Sequence, residues 1–401
     1  MKIRPPRTIQ LGEYASTELD AEALPEESAI ALWRNYAAQV IVDFPSPKTG
    51  NRWILTPQGW VGQIPISPDL VLRLNPKTKV QNIFRMLEYA YRLRQFLMPP
   101  GLIDAGDIED VFERLAVVLS RRVVARARKG FYRAYVPRQE NLAYLRGRLD
   151  VRNVSRSPWK VELPCRYSLH TADIEENRIL AWTLFLVGRA GFAKKIQRSL
   201  ISRAFRTLQG AVLLNQYGPE SCANRRYNRL NDDYESMHAL CRFFLSHTGP
   251  THQRGENAML PFLIDMSKLY ESFVAEWLRE RLPKRFNIKS QERIILGEGA
   301  PIFIVDLVLC DALTGQPLGV LDTKYKVPER AGQEDIYQIV TYAKLMNCRE
   351  AILIYPTRLG QSLDINIGDV HVRSLTFALD GDLEQAGQEF LSKLPVERYG
   401  Q

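Results

Sequence analysis

Apolar and polar positions change rhythm several times along the 401 residues, and each change marks an expected element. Residues 1 to about 30 scatter Pro, Glu and Ser with weak periodicity, which reads as a short strand and a lead-in. Over 53–74, short apolar or alternating runs broken by Pro and Gly predict a small β-rich unit. Helical spacing follows: Val80, Ile83, Phe84, Leu87 and Tyr91 share one face, as do Val111, Leu115, Val118 and Leu119 in the next helix. Residues 137–255 read as mainly helical. There Ile196, Leu200, Ala204 and Leu208 form a stripe backed by Lys194, Lys195, Arg198, Arg203 and Arg206, and Asp173 with Glu176 resembles a capping box. After 256 the order becomes α-β-β-β-α-β, with a strand over 288–296 and apolar runs over 302–309 and 318–325. The linker between those runs carries Asp311 and Gly315, which predicts a hairpin. The expected chain is therefore a multidomain α+β protein. A β-rich N-terminal domain with helices spans 1–136, a helical middle spans 137–255, and an α/β domain with a mixed central sheet spans 256–401.

Composition refines this picture. Apolar residues make up 45% and charged residues 25%, as in ordinary globular proteins. No window approaches the roughly 18 to 20 apolar residues of a membrane helix. Met1-Lys2-Ile3-Arg4-Pro5-Pro6 lacks the apolar segment of a secretory signal, so a cytoplasmic protein is expected. The five cysteines are dispersed with no CxxC pair, which fits reduced thiols and excludes a zinc ribbon. The pair His247 and His252 brackets Gly and Pro without an acidic neighbour and reads as a turn. A net charge of +9 suits a polyanion partner and is also common on ordinary surfaces. Arg121, Arg122, Arg126, Arg128 and Lys129, followed by Phe131, Tyr132 and Tyr135, are candidates for contact with DNA or a protein partner. The simpler reading is a solvated, dipole-compensating helix end with the aromatics in the core. No Gly-x-x-x-x-Gly-Lys-Ser/Thr motif occurs, so no nucleotide is expected on this chain.

The chemistry concentrates in the hairpin. Asp306 interrupts the first apolar run, and Asp322 and Lys324 interrupt the second. A carboxylate inside so apolar a strand is costly unless something pairs with it. Strand side chains alternate, so Asp322 and Lys324 fall on one face with Thr323 on the other. Two converging acids suit a hard cation such as Mg²⁺, and phosphodiester hydrolysis needs one, together with a nearby fixed cation such as Lys324. A structural ion pair is the competing reading.

Val305-Asp306 and Asp322-Thr323-Lys324 resemble the PD-(D/E)xK nuclease motif, with Val305 where the pattern often has Pro. Glu271, on the preceding helix, sits where such nucleases carry a further acidic ligand; read alone, it is equally an exposed helix glutamate. Gln338 and Tyr342 resemble the Gln-x-x-x-Tyr helix of the RecB-like branch. Val61-Gly62-Gln63-Ile64, Leu72-Arg73-Leu74-Asn75-Pro76-Lys77, Asn141 to Leu149 and Cys165-Arg166-Tyr167 resemble the McrC family, the nuclease subunits of McrBC-type modification-dependent restriction systems. The resemblance implies that Asp306, Asp322, the Thr323 backbone carbonyl and Glu271 hold Mg²⁺, with Mn²⁺ able to substitute, and that Lys324 positions the attacking water. It also implies DNA as substrate and a McrB-like AAA+ GTPase hexameric ring as partner. The rival readings are a stand-alone RecB-like repair nuclease and a non-cutting activator of such a ring.

Overall fold

The computed structural model describes residues 6–67, 69–93, 107–156, 159–190, 195–248, 261–297, 302–326 and 328–394, without the side chains of 195 and 196. The N-terminal part opens with β1 (Arg7–Gly12), β2 (Thr17–Leu19), α1 (Glu26–Asn35) and β3 (Val40–Asp43). It continues with β4 (Trp53–Pro57), β5 (Trp60–Ser67), β6 (Leu70–Asn75) and α2 (Val80–Ala90). Period-two alternation puts Trp53 and Leu55 of β4 inside, and they meet Leu11, Leu32, Tyr36 and Leu72 in one core.

A middle segment follows: α3 (Ile108–Lys129), β7 (Ala134–Leu142), β8 (Arg148–Leu149), α4 (Val151–Arg156), β9 (Leu163–Thr171), α5 (Glu175–Arg189), α6 (Lys195–Gln209) and α7 (Asp233–His247). The region is mainly helical, as expected, and also carries a sheet that the expectation lacked. The strands β7, β9 and β8 form an antiparallel sheet whose two long members are in register from Ala134↔Thr171 to Leu142↔Leu163. The expected capping box at Asp173 is also replaced. Both carboxylate oxygens of Asp173 bind Arg178, at 2.6 and 2.7 Å, and α5 has no side-chain cap. Lys194 and residues 249–252 of the histidine turn lie outside the described residues; His247 is buried at the end of α7.

The last part contains β10 (Phe262–Asp265), α8 (Met266–Arg281), β11 (Phe286–Ile295), β12 (Ile302–Asp311), β13 (Pro317–Thr323), α9 (Gln333–Leu345), β14 (Glu350–Tyr355), β15 (Asp364–Ile367), β16 (Val370–Thr376) and α10 (Leu383–Lys393). Six strands form a mixed sheet in the order β11-β12-β13-β14-β16-β15. β11 to β13 are antiparallel, β13, β14 and β16 are parallel, and β15 returns antiparallel. The hairpin turn forms as its residues require: Asp311 accepts the Leu313 and Thr314 N–H groups, and Gly315 takes φ +71°. α9 buries Ile339 and Ala343 against Val308, Val320 and Leu353 of the sheet. Trp277 of α8 and Phe390 of α10 both pack on Phe377.

The compact units divide differently from the boundaries expected at 136 and 255. One unit joins Met1–Ile108 to Phe262–Gln401, and the other is the continuous stretch Glu109–Pro261. The reason is strand pairing. β10 completes the N-terminal sheet by lying antiparallel to β5, Leu263 opposite Gly62. A Cβ on Gly62 would run into the Phe262 carbonyl, so only glycine lets the two strands close.

Candidate active site

The hairpin β12–β13 and helices α8 and α9 bring the expected residues together. The pairing Leu307↔Leu321 sets Asp306 near Asp322. Thr323, whose side chain is expected to face away, donates both its backbone N–H (3.1 Å) and its hydroxyl (3.3 Å) to Asp306 Oδ2. Asp322 is 1% exposed, and Lys324 Nζ lies 2.7 Å from its Oδ2. Lys324 itself sits one residue beyond the end of β13, its backbone N–H bonded to the Ile354 carbonyl at 2.8 Å. Its amine also donates to Gln338 Oε1 at 2.8 Å, and Gln338 Nε2 donates to the Tyr342 hydroxyl at 2.9 Å. Gln338, one turn before Tyr342 on α9 and oriented by it, thus holds the lysine.

Electrostatics sharpen this geometry. Burial, then the charge of Asp306, raises the pKa of Asp322 well above the ordinary carboxylate range. Burial raises that of Asp306 against the two Thr323 donors and Lys324. Glu271 on α8 is half-buried, and burial followed by Asp306 pushes its carboxyl up to about 7; it also hydrogen-bonds Gln291. Burial disfavours charge on Lys324, but Asp322, Asp335 and Asp306 together outweigh it and keep the amine protonated. Among the described residues no three Asp, Glu, His or Cys side chains already form a metal cage. The donors that crowd here are all oxygens, with one lysine among several acids, and that chemistry fits a hard divalent cation.

Sequence reasoning missed Asp335. It lies in the first turn of α9, 7% exposed, 3.8 Å from Lys324 Nζ and 2.5 Å from Lys326 Nζ. Its spacing of three before Gln338, on the same helix face, is the signal that was available. The Arg121–Lys129 cluster stands in the other unit. Arg126 pairs with Asp233 at 3.3 Å and lies over the Tyr234 ring, and Arg122 donates to Ser236 at 2.5 Å. Arg121, Arg128 and Lys129 are exposed.

The profile described as "McrBC 5-methylcytosine restriction system component" matches residues 55–356, well over half of the chain. The chain belongs to the McrBC family. A curated relative, the type IV methyl-directed restriction enzyme EcoKMcrBC of Escherichia coli strain K12, is 23% identical over 214 residues, 52% of this chain and 60% of that protein's length. A chain from the tetradecameric assembly of Thermococcus gammatolerans McrB AAA+ hexamers with bound McrC superposes with a TM-score of 0.55 at 16% identity. The superposition covers 97% of this chain and 99% of that one. This McrBC-family chain therefore shares one fold with that structure along nearly its whole length. No helix among the described residues is long and apolar enough to cross a membrane.

Proposed function

We propose that this chain is the DNA-cutting subunit of a McrBC-type restriction system, a PD-(D/E)xK nuclease that hydrolyses phosphodiester bonds with Mg²⁺ and works with a separate McrB-like AAA+ GTPase ring. The observation that carries the reading is the convergence of Asp306, Asp322 and Lys324 under the Gln338–Tyr342 pair, in a chain of this family. Asp306 and Asp322, with the Thr323 carbonyl and Glu271, would hold the cation. A Mg²⁺ held there would supply charge neutralisation at the scissile phosphate and a water of lowered pKa. Lys324 presents a fixed positive charge to the reacting phosphate. It is held by Asp322, Asp335 and Gln338, so little reorganisation is needed when charge develops. The Thr323 donors keep the Asp306 carboxylate aimed. The partner is proposed from the family and from the assembly in the Thermococcus structure, and the methylated DNA from the descriptions of the family and the Escherichia coli relative.

The test is cleavage of a plasmid carrying 5-methylcytosine by the purified chain with Mg²⁺, with and without the ring and GTP. Cutting only with ring and GTP, lost in Asp322→Ala while ring GTPase stimulation persists, is the expected result. Cutting by the chain alone, indifferent to GTP, would replace this reading with a stand-alone nuclease. Stimulation of the ring with no cutting at all would leave an activator.

A further inference from the structure

A cavity of about 340 Å³ opens beside the candidate active site, lined among others by Glu13, Tyr14, Lys77, Tyr325, Lys326 and Thr357. It joins the site through Asp335, which touches Lys324 with one carboxylate oxygen and Lys326 with the other. Two polar atoms of its lining lack a hydrogen-bond partner among the described residues. One is Glu13 Oε1, on a side chain 1% exposed; the other is Thr357 Oγ1. The second Glu13 oxygen is already used, accepting the Lys77 N–H (3.2 Å) and the Tyr325 hydroxyl (3.3 Å). A buried acceptor left without a donor is unfavourable, and a ligand with an N–H group would remove that penalty. Tyr14 is held at φ +58°, a rarely populated backbone region for a bulky residue.

We propose that this cavity seats one unstacked nucleobase bearing an exocyclic amino group, from the DNA strand next to the phosphate held at Asp306, Asp322 and Lys324. The amine reaches Glu13 Oε1, the Thr357 hydroxyl meets a ring nitrogen or carbonyl, and the rings of Tyr14 and Tyr325 offer aromatic surface for the base. Lys77 and Lys326 face the flanking phosphates. The volume lies near the lower end of small-ligand pockets, roughly 300 to 1,000 Å³, which suits one nucleotide. An acidic peptide would satisfy the lysines but would set carboxylates against Glu13. The inference rests on the proposed DNA-cutting function.

The test uses oligonucleotides with a single 2-aminopurine, which carries an exocyclic amine, at successive positions, titrated with the full chain in Ca²⁺, a hard cation for the oxygen site in place of Mg²⁺. End-label anisotropy reports binding and 2-aminopurine emission reports unstacking. A severalfold rise in emission at one position is expected, and Glu13→Gln and Thr357→Val should each weaken that response about tenfold. Circular dichroism checks that both variants fold. Binding without an emission change, variants that respond like the wild type, or no binding at all would overturn the proposal. So would free dCMP competing as tightly as the strand, which would make a loose nucleotide the occupant. Cleavage is scored separately with ring, GTP and Mg²⁺. Cutting without an emission response removes the base seat alone; an emission response without cutting keeps the seat and removes the nuclease reading.

Discussion

Replacing Asp322 by Asn separates what the site does for chemistry from what it does to the fold. The carboxyl is 1% exposed, and burial with the charge of Asp306 lifts its pKa from 3.8 to about 7 even with Lys324 beside it. A carboxyl whose folded pKa lies above its unfolded value binds more protons when folded. It therefore removes stability as the pH rises from its unfolded value toward about 7, and the full loss is present above that. At about 1.4 kcal/mol per pH unit the rise corresponds to roughly 4 kcal/mol. Sharing of protonation with Asp306 lowers this to on the order of 2 to 3 kcal/mol. Asn keeps the shape without the charge, and Lys324 retains Asp335 and Gln338. At about pH 8 in EDTA, Asp322→Asn should therefore unfold several degrees above the wild type, and with Mg²⁺, ring and GTP it should cut no DNA. Saturating Mg²⁺ should reverse the order, since a ligand at about 1,000 times its Kd adds roughly 4.1 kcal/mol to the protein that binds it. Calorimetric melts with EDTA and with Mg²⁺ measure both halves. A variant less stable than the wild type in EDTA, or one that Mg²⁺ stabilises equally, would refute the reasoning.

Gln338→Ala removes the acceptor that holds the Lys324 amine at 2.8 Å. Hydrogen bonds to charged groups are worth about 1.5 to 3 kcal/mol, so single-turnover cleavage should slow roughly 10- to 100-fold. DNA affinity by anisotropy should hold, and an equal fall in both would contradict a positioning role. In the middle unit His238 is 1% exposed, and burial lowers its pKa from 6.5 to about 4. The unfolded chain binds the proton first, so stability is retained above pH 6.5 and lost as pH falls toward about 4, by on the order of 3 kcal/mol. Urea titrations across that range should show the loss, and His238→Gln should flatten it. Gly387→Ala would drive a Cβ into the buried Trp277 ring and should destabilise the first unit by about 1 to 3 kcal/mol, read by chemical denaturation.

The hairpin was legible because Asp306, Asp322 and Lys324 stand out against apolar strands, and a charge in such a run needs a reason. The Gln338–Tyr342 pair was singled out by its resemblance to the RecB-like Gln-x-x-x-Tyr helix, and helix spacing accounts for the two meeting on one face. Asp335 escaped notice because an acid in the first turn of a helix usually serves the dipole, and only the fold reveals its two lysines. The β7–β9 sheet was invisible for another reason. β7 alternates only between partly and fully exposed positions and contains Pro137, so it carries no apolar face for a pattern to report. Asp173 and Glu176 show the limit of local motifs: the spacing suits a capping box, but Arg178 is near enough to take the carboxylate. Domain boundaries depended on β10, a four-residue strand whose partner lies far back in the sequence.

That partnership also sets an order of events during synthesis. Roughly 200 residues separate Gln63 of β5 from Phe262 opposite it. At about 5 to 20 residues per second, the ribosome needs roughly 10 to 40 s to supply the missing strand. Until then the N-terminal sheet has an open edge of unpaired backbone groups, the kind of edge that recruits another chain. The continuous stretch Glu109–Pro261 needs no such wait, because both ends of its sheet and its helices are made together. The nascent chain should therefore finish its middle before its beginning.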